Sequence, residues 1–78
     1  MAGVMEEAYL KQSRRAAELG MFRSADLSDM LTAAGWQLTN PARQRKQDKV
    51  RALLHLEEYD VLPEIVESLG LARLEPVV

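Results

Sequence analysis

Between Leu38 and Leu56 the chain gathers Arg43, Arg45, Lys46, Lys49 and Arg51 against a single acid, Asp48, with Gln44 among them. These are the side chains that bind polyanions: guanidinium and ammonium groups neutralise phosphates, and Arg, Lys and Gln can read base edges. From Glu57 onward the sign reverses, with Glu57, Glu58, Asp60, Glu64, Glu67 and Glu75 against Arg73. A net charge of −2 therefore conceals a basic segment followed by an acidic one. The plainer account of the same cations is a solvated helix face with intrahelical pairing.

Catalytic chemistry has little to stand on. His55 lies between Leu54 and Leu56 with Glu58 three positions on, a spacing that could orient a general base. No cysteine is present, and Ser13, Ser24, Ser28, Thr32, Thr39 and Ser68 carry no accompanying motif. Adjacent carboxylates such as Glu6/Glu7 and Glu57/Glu58 face different ways on a helix and cannot share a proton. One histidine without cysteines cannot build a zinc site, and no phosphate or calcium loop is written. The expectation is a binding protein with no cofactor and no metal, not an enzyme.

The elements that would carry these residues are punctuated by glycine. Leu19-Gly20-Met21, Ala34-Gly35-Trp36 and Leu69-Gly70-Leu71 each read as a helix stop, because glycine takes the left-handed conformation cheaply and the next apolar residue packs back. Upstream of Gly20, the residues Val4, Met5, Ala8, Tyr9, Ala16 and Leu19 share one face, and Glu7 pairs with Lys11 by helical spacing. Ser24 can cap a second helix, Asp26 suits its positive end, and Leu27, Met30, Leu31 and Ala34 make its stripe. Asn40-Pro41 reads as cap and first-turn proline of a third. Pro63 opens or kinks the last, where Leu62, Ile65, Val66 and Leu69 again form a stripe. The pattern predicts an all-α, four-helix domain with helices over residues 3–19, 25–34, 41–59 and 62–69.

One domain over residues 1–70 with a tail over 71–78 fits a chain of 78 residues. In the tail, LARLEPVV could dock as an extended segment or short strand, and Pro76 stops any helix there. A core this small supplies only ~3–5 kcal/mol, so self-association into a dimer is expected. The N-terminus meets acids early and shows no long apolar run, which points to the cytosol and away from the membrane.

The third helix divides in two. Extending the Val50/Leu53/Leu54 stripe backward by helical spacing reaches Arg43, Lys46 and Gln47, so the apolar face dissolves into charge. Its first turns should project beyond the core to solvent or a partner. The segment SADLSDMLTAAGWQLTNPARQRKQDKVRALL resembles a helix-turn-helix DNA-binding unit over residues 24–56. That resemblance implies a small transcriptional regulator, with Arg43, Gln44 and Lys46 reading base edges and Arg45, Lys49 and Arg51 on phosphate.

A second expectation stands beside it: a small adaptor or inhibitor docking on a larger protein such as a polymerase, nuclease or toxin. Its contacts would be Trp36 and the acid-flanked stripe of Leu62, Ile65, Val66 and Leu69. Both have ordinary counterparts, since Trp36 can cap the bundle and the stripe can close its own core.

Overall fold

In the computed structural model, which describes residues 3–75 with side chains from Leu10 onward, helices follow the glycine punctuation closely. The order is α1 (Gly3–Gly20), α2 (Ser24–Ala33), β1 (Trp36–Leu38), a one-turn 3₁₀ helix (Pro41–Arg43), α3 (Lys46–Leu56), α4 (Pro63–Leu69) and β2 (Leu71–Arg73). The side chains of Val4, Met5, Glu7, Ala8 and Tyr9, and all of residues 76–78, lie outside the described residues. The chain is mostly helical. It is not all-α, because β1 and β2 pair antiparallel with Trp36 opposite Arg73 and Leu38 opposite Leu71.

The core is where the stripes meet. Leu19 of α1, Leu27 and Leu31 of α2, Ala52, Leu53 and Leu54 of α3, and Leu69 of α4 are buried together, with Ile65, Tyr59 and Leu71 packed against them. Every helix thus contributes to one core, and α3 runs through its centre. Among the described residues no helix is long and apolar enough to cross a membrane.

The single helix expected over 41–59 is broken. Asn40 does cap, its side-chain oxygen accepting the Ala42 N–H at 3.0 Å, but the helix it starts lasts one 3₁₀ turn. No apolar side chain between Pro41 and Gln47 other than that of Ala42 is available to dock, and helices this short depend on tertiary packing. Gln44 then fastens the break by donating to the carbonyls of Leu38 and Asn40. A new start follows at Lys46, where Asp48 accepts the Arg45 N–H at 3.3 Å. Arg23 and Asp26 repeat that arrangement at α2. Ser24 is therefore not the cap; its hydroxyl accepts from Lys49 Nζ at 2.6 Å instead.

Glycine ends two elements as expected, with Gly35 at φ 86° and Gly70 at φ 63°. Gly20 closes α1 without a positive φ. The end of α3 uses a residue that glycine would normally replace. The Glu58 N–H donates to His55 O and the Tyr59 N–H to Leu54 O, both at 3.0 Å, which is the Schellman pattern. Glu58 holds the left-handed position at φ 69°. Glu58→Gly should raise stability by about 0.5–1 kcal/mol, because a side chain in that conformation is strained. An unchanged or lowered urea midpoint would contradict this.

Candidate functional site

The cations of residues 43–51 do not form one free surface. Arg43 and Arg51 approach the same carboxylate, Asp48, at 3.9 and 3.8 Å. Asp48 is 1% exposed, and its Oδ1 has no hydrogen-bond partner among the described residues, so these two guanidiniums supply its compensation across almost 4 Å. Lys49 is tied to the backbone and hydroxyl of Ser24, and Gln44 to the break before α3. That leaves Arg45 and Lys46 exposed, with no ion pair among the described residues.

Those two cations stand at one end of a groove. The stripe Gln12, Ala16 and Gly20 of α1 forms one wall, and Arg45, Lys46, Gln47, Val50, Arg51 and Leu54 form the other; the volume between them is about 760 Å³. The spacing explains the wall on α3: positions 46, 47, 50, 51 and 54 share one face of a helix with 3.6 residues per turn. Ala16, Val50 and Leu54 make an apolar floor. Arg45, Lys46 and Arg51 crowd the end where α3 begins. Past Leu54 the helix ends at Leu56, and the acids that follow, Glu57 and the left-handed Glu58, stand beyond the residues that line the groove.

Cross-links from α1 mark that acidic end. Arg15 donates to Glu57 at 2.8 Å and to Glu18 at 3.1 Å. The Glu57 bond first, and the Glu18 bond after it, push the Arg15 guanidinium above its usual pKa. Gln12 reaches the carbonyl of Asp60 at 2.9 Å. The charge along α3 is therefore bipolar, basic at the helix start and acidic just past its end, where Glu57 is paired with Arg15.

This polarity opposes the needs of α3 itself. A helix is stabilised by anions at its N-terminus and cations at its C-terminus, each worth roughly 0.3–1 kcal/mol. Apart from Asp48 and His55, α3 carries the reverse, with Arg45 and Lys46 at the start and Glu57 and Glu58 at the close. Glu58 does so in a strained backbone conformation.

The other expected contacts are placed differently from one another. Leu69 is fully buried and Ile65 packs on the core, so α4 spends most of its stripe internally; Val66 is half-buried and Leu62 is 62% exposed. A face made of all four is thereby corrected. Trp36 is half-buried in β1 with the Arg73 guanidinium 6.0 Å from its ring centre, a cation–π distance. It borders a smaller polar hollow of about 220 Å³ with Lys49, Gln44 and Ser28. His55 is exposed, and its imidazole makes no hydrogen bond among the described residues. No cluster of His, Asp or Glu there could hold a metal.

Two exposed apolar residues were not legible as site residues. Met21 is 87% exposed and Phe22 42% exposed, directly after Gly20 at the basic end of the groove. The sequence signal existed, since Met21 follows a glycine stop, but it reads there as a residue packing back on α1. No family model, curated protein or solved structure matches the chain.

Proposed function

We propose that the chain is a small docking module that binds protein through the α1–α3 groove, as an adaptor or inhibitor does. The observation that carries this is the α1–α3 groove itself: an apolar floor of Ala16, Val50 and Leu54 with the exposed cations Arg45 and Lys46 at the end where α3 begins, set against the helix dipole. Charges so arranged cost the helix stability, and a complementary partner would recover that cost. The fitting partner presents an amphipathic segment whose apolar face enters the groove, its acids meeting Arg45 and Lys46.

The probe is a fluorescein-labelled amphipathic peptide with leucines on one face and glutamates at one end. Binding should saturate, weaken with salt, and fall about tenfold in Lys46→Glu, the effect of reversing a single rim charge. The same substitution should leave the thermal midpoint equal or slightly higher, because a carboxylate suits the first turn of α3. Lost binding with intact folding would identify Lys46 as a contact. Binding indifferent to Lys46→Glu would remove the groove from consideration.

Nucleic-acid binding by a transcriptional regulator is the second reading, favoured by the gathering of Arg43, Arg45, Lys46 and Arg51 around the start of α3. It demands DNA affinity that falls steeply with salt as counterions are released, and that drops when Arg43 and Arg45 are both replaced by alanine. The broken helix counts against it, since a recognition helix enters the major groove along its N-terminal turns.

A further inference from the structure

We infer that the outer edge of β2 pairs antiparallel with β2 of a second copy, joining the two small sheets into one of four strands. The pairing uses none of the groove and is independent of the docking proposed for it. The parity of the hydrogen bonds decides which main-chain groups are free. The Thr39 N–H donates to Gly70 O and the Leu74 N–H to Gly35 O, and Gln37 stands opposite Ala72 between them. Residues 70, 72 and 74 therefore spend their main-chain groups on β1. Leu71 and Arg73 turn theirs outward, and the same alternation carried past Leu74 does so for Glu75. Among the described residues these outward groups have no main-chain partner. The outer edge of β1 is covered instead, since α2 packs beside it and the Leu38 carbonyl accepts from Gln44 at 2.8 Å. Each copy thus offers β2.

A strand can meet its own copy in several registers, and the charges choose among them. With Leu74 on the two-fold axis, Arg73 of each chain lies opposite Glu75 of the other, and Leu74 meets Leu74. Each Arg73–Glu75 pair exchanges both of its main-chain hydrogen bonds and sets opposite charges side by side. Centring the axis on Arg73 would instead face one guanidinium with another, and centring it on Ala72 would set Glu75 against Leu69, which is helical. Arg73 and Glu75 are both exposed, and neither has an ion pair among the described residues. Arg73 already lies over Trp36, its opposite on β1, so the row across the joined sheets runs Trp36, Arg73, then Glu75 of the second copy. A two-stranded sheet is marginal alone, and an unpaired edge is a template for another strand. The two-fold contact closes at two chains.

Full-length chain is examined by sedimentation equilibrium from micromolar to millimolar concentration, with circular dichroism confirming that each variant is folded. Wild type should pass from monomer to dimer and stop there. Arg73→Glu and Glu75→Arg should each weaken the dimer about thirtyfold, because both symmetry-related ion pairs become repulsions. Mixing the two variants should restore dimers, and one chain carrying both exchanges should pair again with itself. Amide exchange followed by NMR reads the strand pairing directly. The Arg73 and Glu75 N–H groups should exchange more slowly as concentration rises, while those of Ala72 and Leu74, already bonded within each copy, should barely change.

A wild-type chain that stays monomeric at millimolar concentration, a series that grows beyond two, or a dimer indifferent to both reversals would each overturn the inference. So would a dimer whose Arg73 and Glu75 amides exchange as fast as in the monomer. Lys46→Glu should leave the dimer intact; if it dissolves the dimer instead, the contact lies in the groove and the pairing of β2 is refuted.

Discussion

Gly70→Ala is expected to lower stability by about 2–4 kcal/mol, enough to take the thermal midpoint down by more than about 10 °C in a domain of this size. Two costs combine. At φ 63° any side chain is strained, by roughly 1–2 kcal/mol. A methyl group there would also overlap the Thr39 hydroxyl and lie 3.1 Å from the Asn40 nitrogen. Neither neighbour can move freely. The Thr39 N–H and hydroxyl both donate to Gly70 O, the Asn40 N–H donates to Leu69 O, and Asn40 Nδ2 donates to Ser68 O at 2.6 Å.

Gly35 supplies the internal control. Its φ of 86° is as left-handed, yet nothing lies within 4 Å of the point a methyl group would occupy. Gly35→Ala should therefore cost only the conformational share, about 1 kcal/mol. Equal losses at the two glycines in urea titration would show that the contact with Thr39 and Asn40 contributes nothing.

Leu19→Ala should cost about 3 kcal/mol, within the range for a fully enclosed leucine. Leu19 is 0% exposed and is the one buried residue among the described side chains of α1. Beyond Leu19 the described side chains of α1 add only the half-buried Ala16 on the core and polar ties near the surface, Arg15 to Glu57 and Gln12 to Asp60. Exposed pairs of that kind contribute little, with a median near 0–1 kcal/mol. The substitution should consequently loosen α1 ahead of the other helices. Circular dichroism would show part of the helical signal lost at lower urea than the Trp36 fluorescence change. A single coincident transition at the wild-type midpoint would sink the expectation.

The fold was legible wherever a stripe and a stop signal agreed. Leu27, Leu31 and Gly35 define α2, and Ile65, Leu69 and Gly70 define α4, much as periodicity and glycine chemistry require. The strands were not legible. Trp36–Leu38 and Leu71–Arg73 are too short for alternation to register, and each is held by a partner more than thirty residues away. The tail reads as able to form a short strand, but nothing local names its mate.

The break at Gln44 was hidden for a related reason. Asn40-Pro41 is a genuine helix start, and nothing local announces that the helix will last one turn; that depends on Gln44 reaching back to Leu38 and Asn40. The site was legible in its charges and not in its geometry. Sequence placed Arg43, Arg45, Lys46, Lys49 and Arg51 in one group. The fold assigns Arg43 and Arg51 to Asp48 and Lys49 to Ser24, and turns the remainder toward α1, a helix far away in sequence.

The β1–β2 pair also partitions the molecule. Trp36 opposite Arg73 makes the intervening chain a closed circuit that contains α3 and α4, and the Leu74 N–H bonding Gly35 O at 2.7 Å clamps the end of α2 onto it. α1 and α2 both precede this closure, but α2 adjoins it at Gly35 whereas α1, which forms one wall of the groove, is joined to it only through α2 and its own packing. Detachment of α1 is a sub-global opening, cheaper than unfolding the whole. Anything that grips both walls binds only the attached form, so occupancy and the retention of α1 are a single linked equilibrium, each shifting the other by the same free energy.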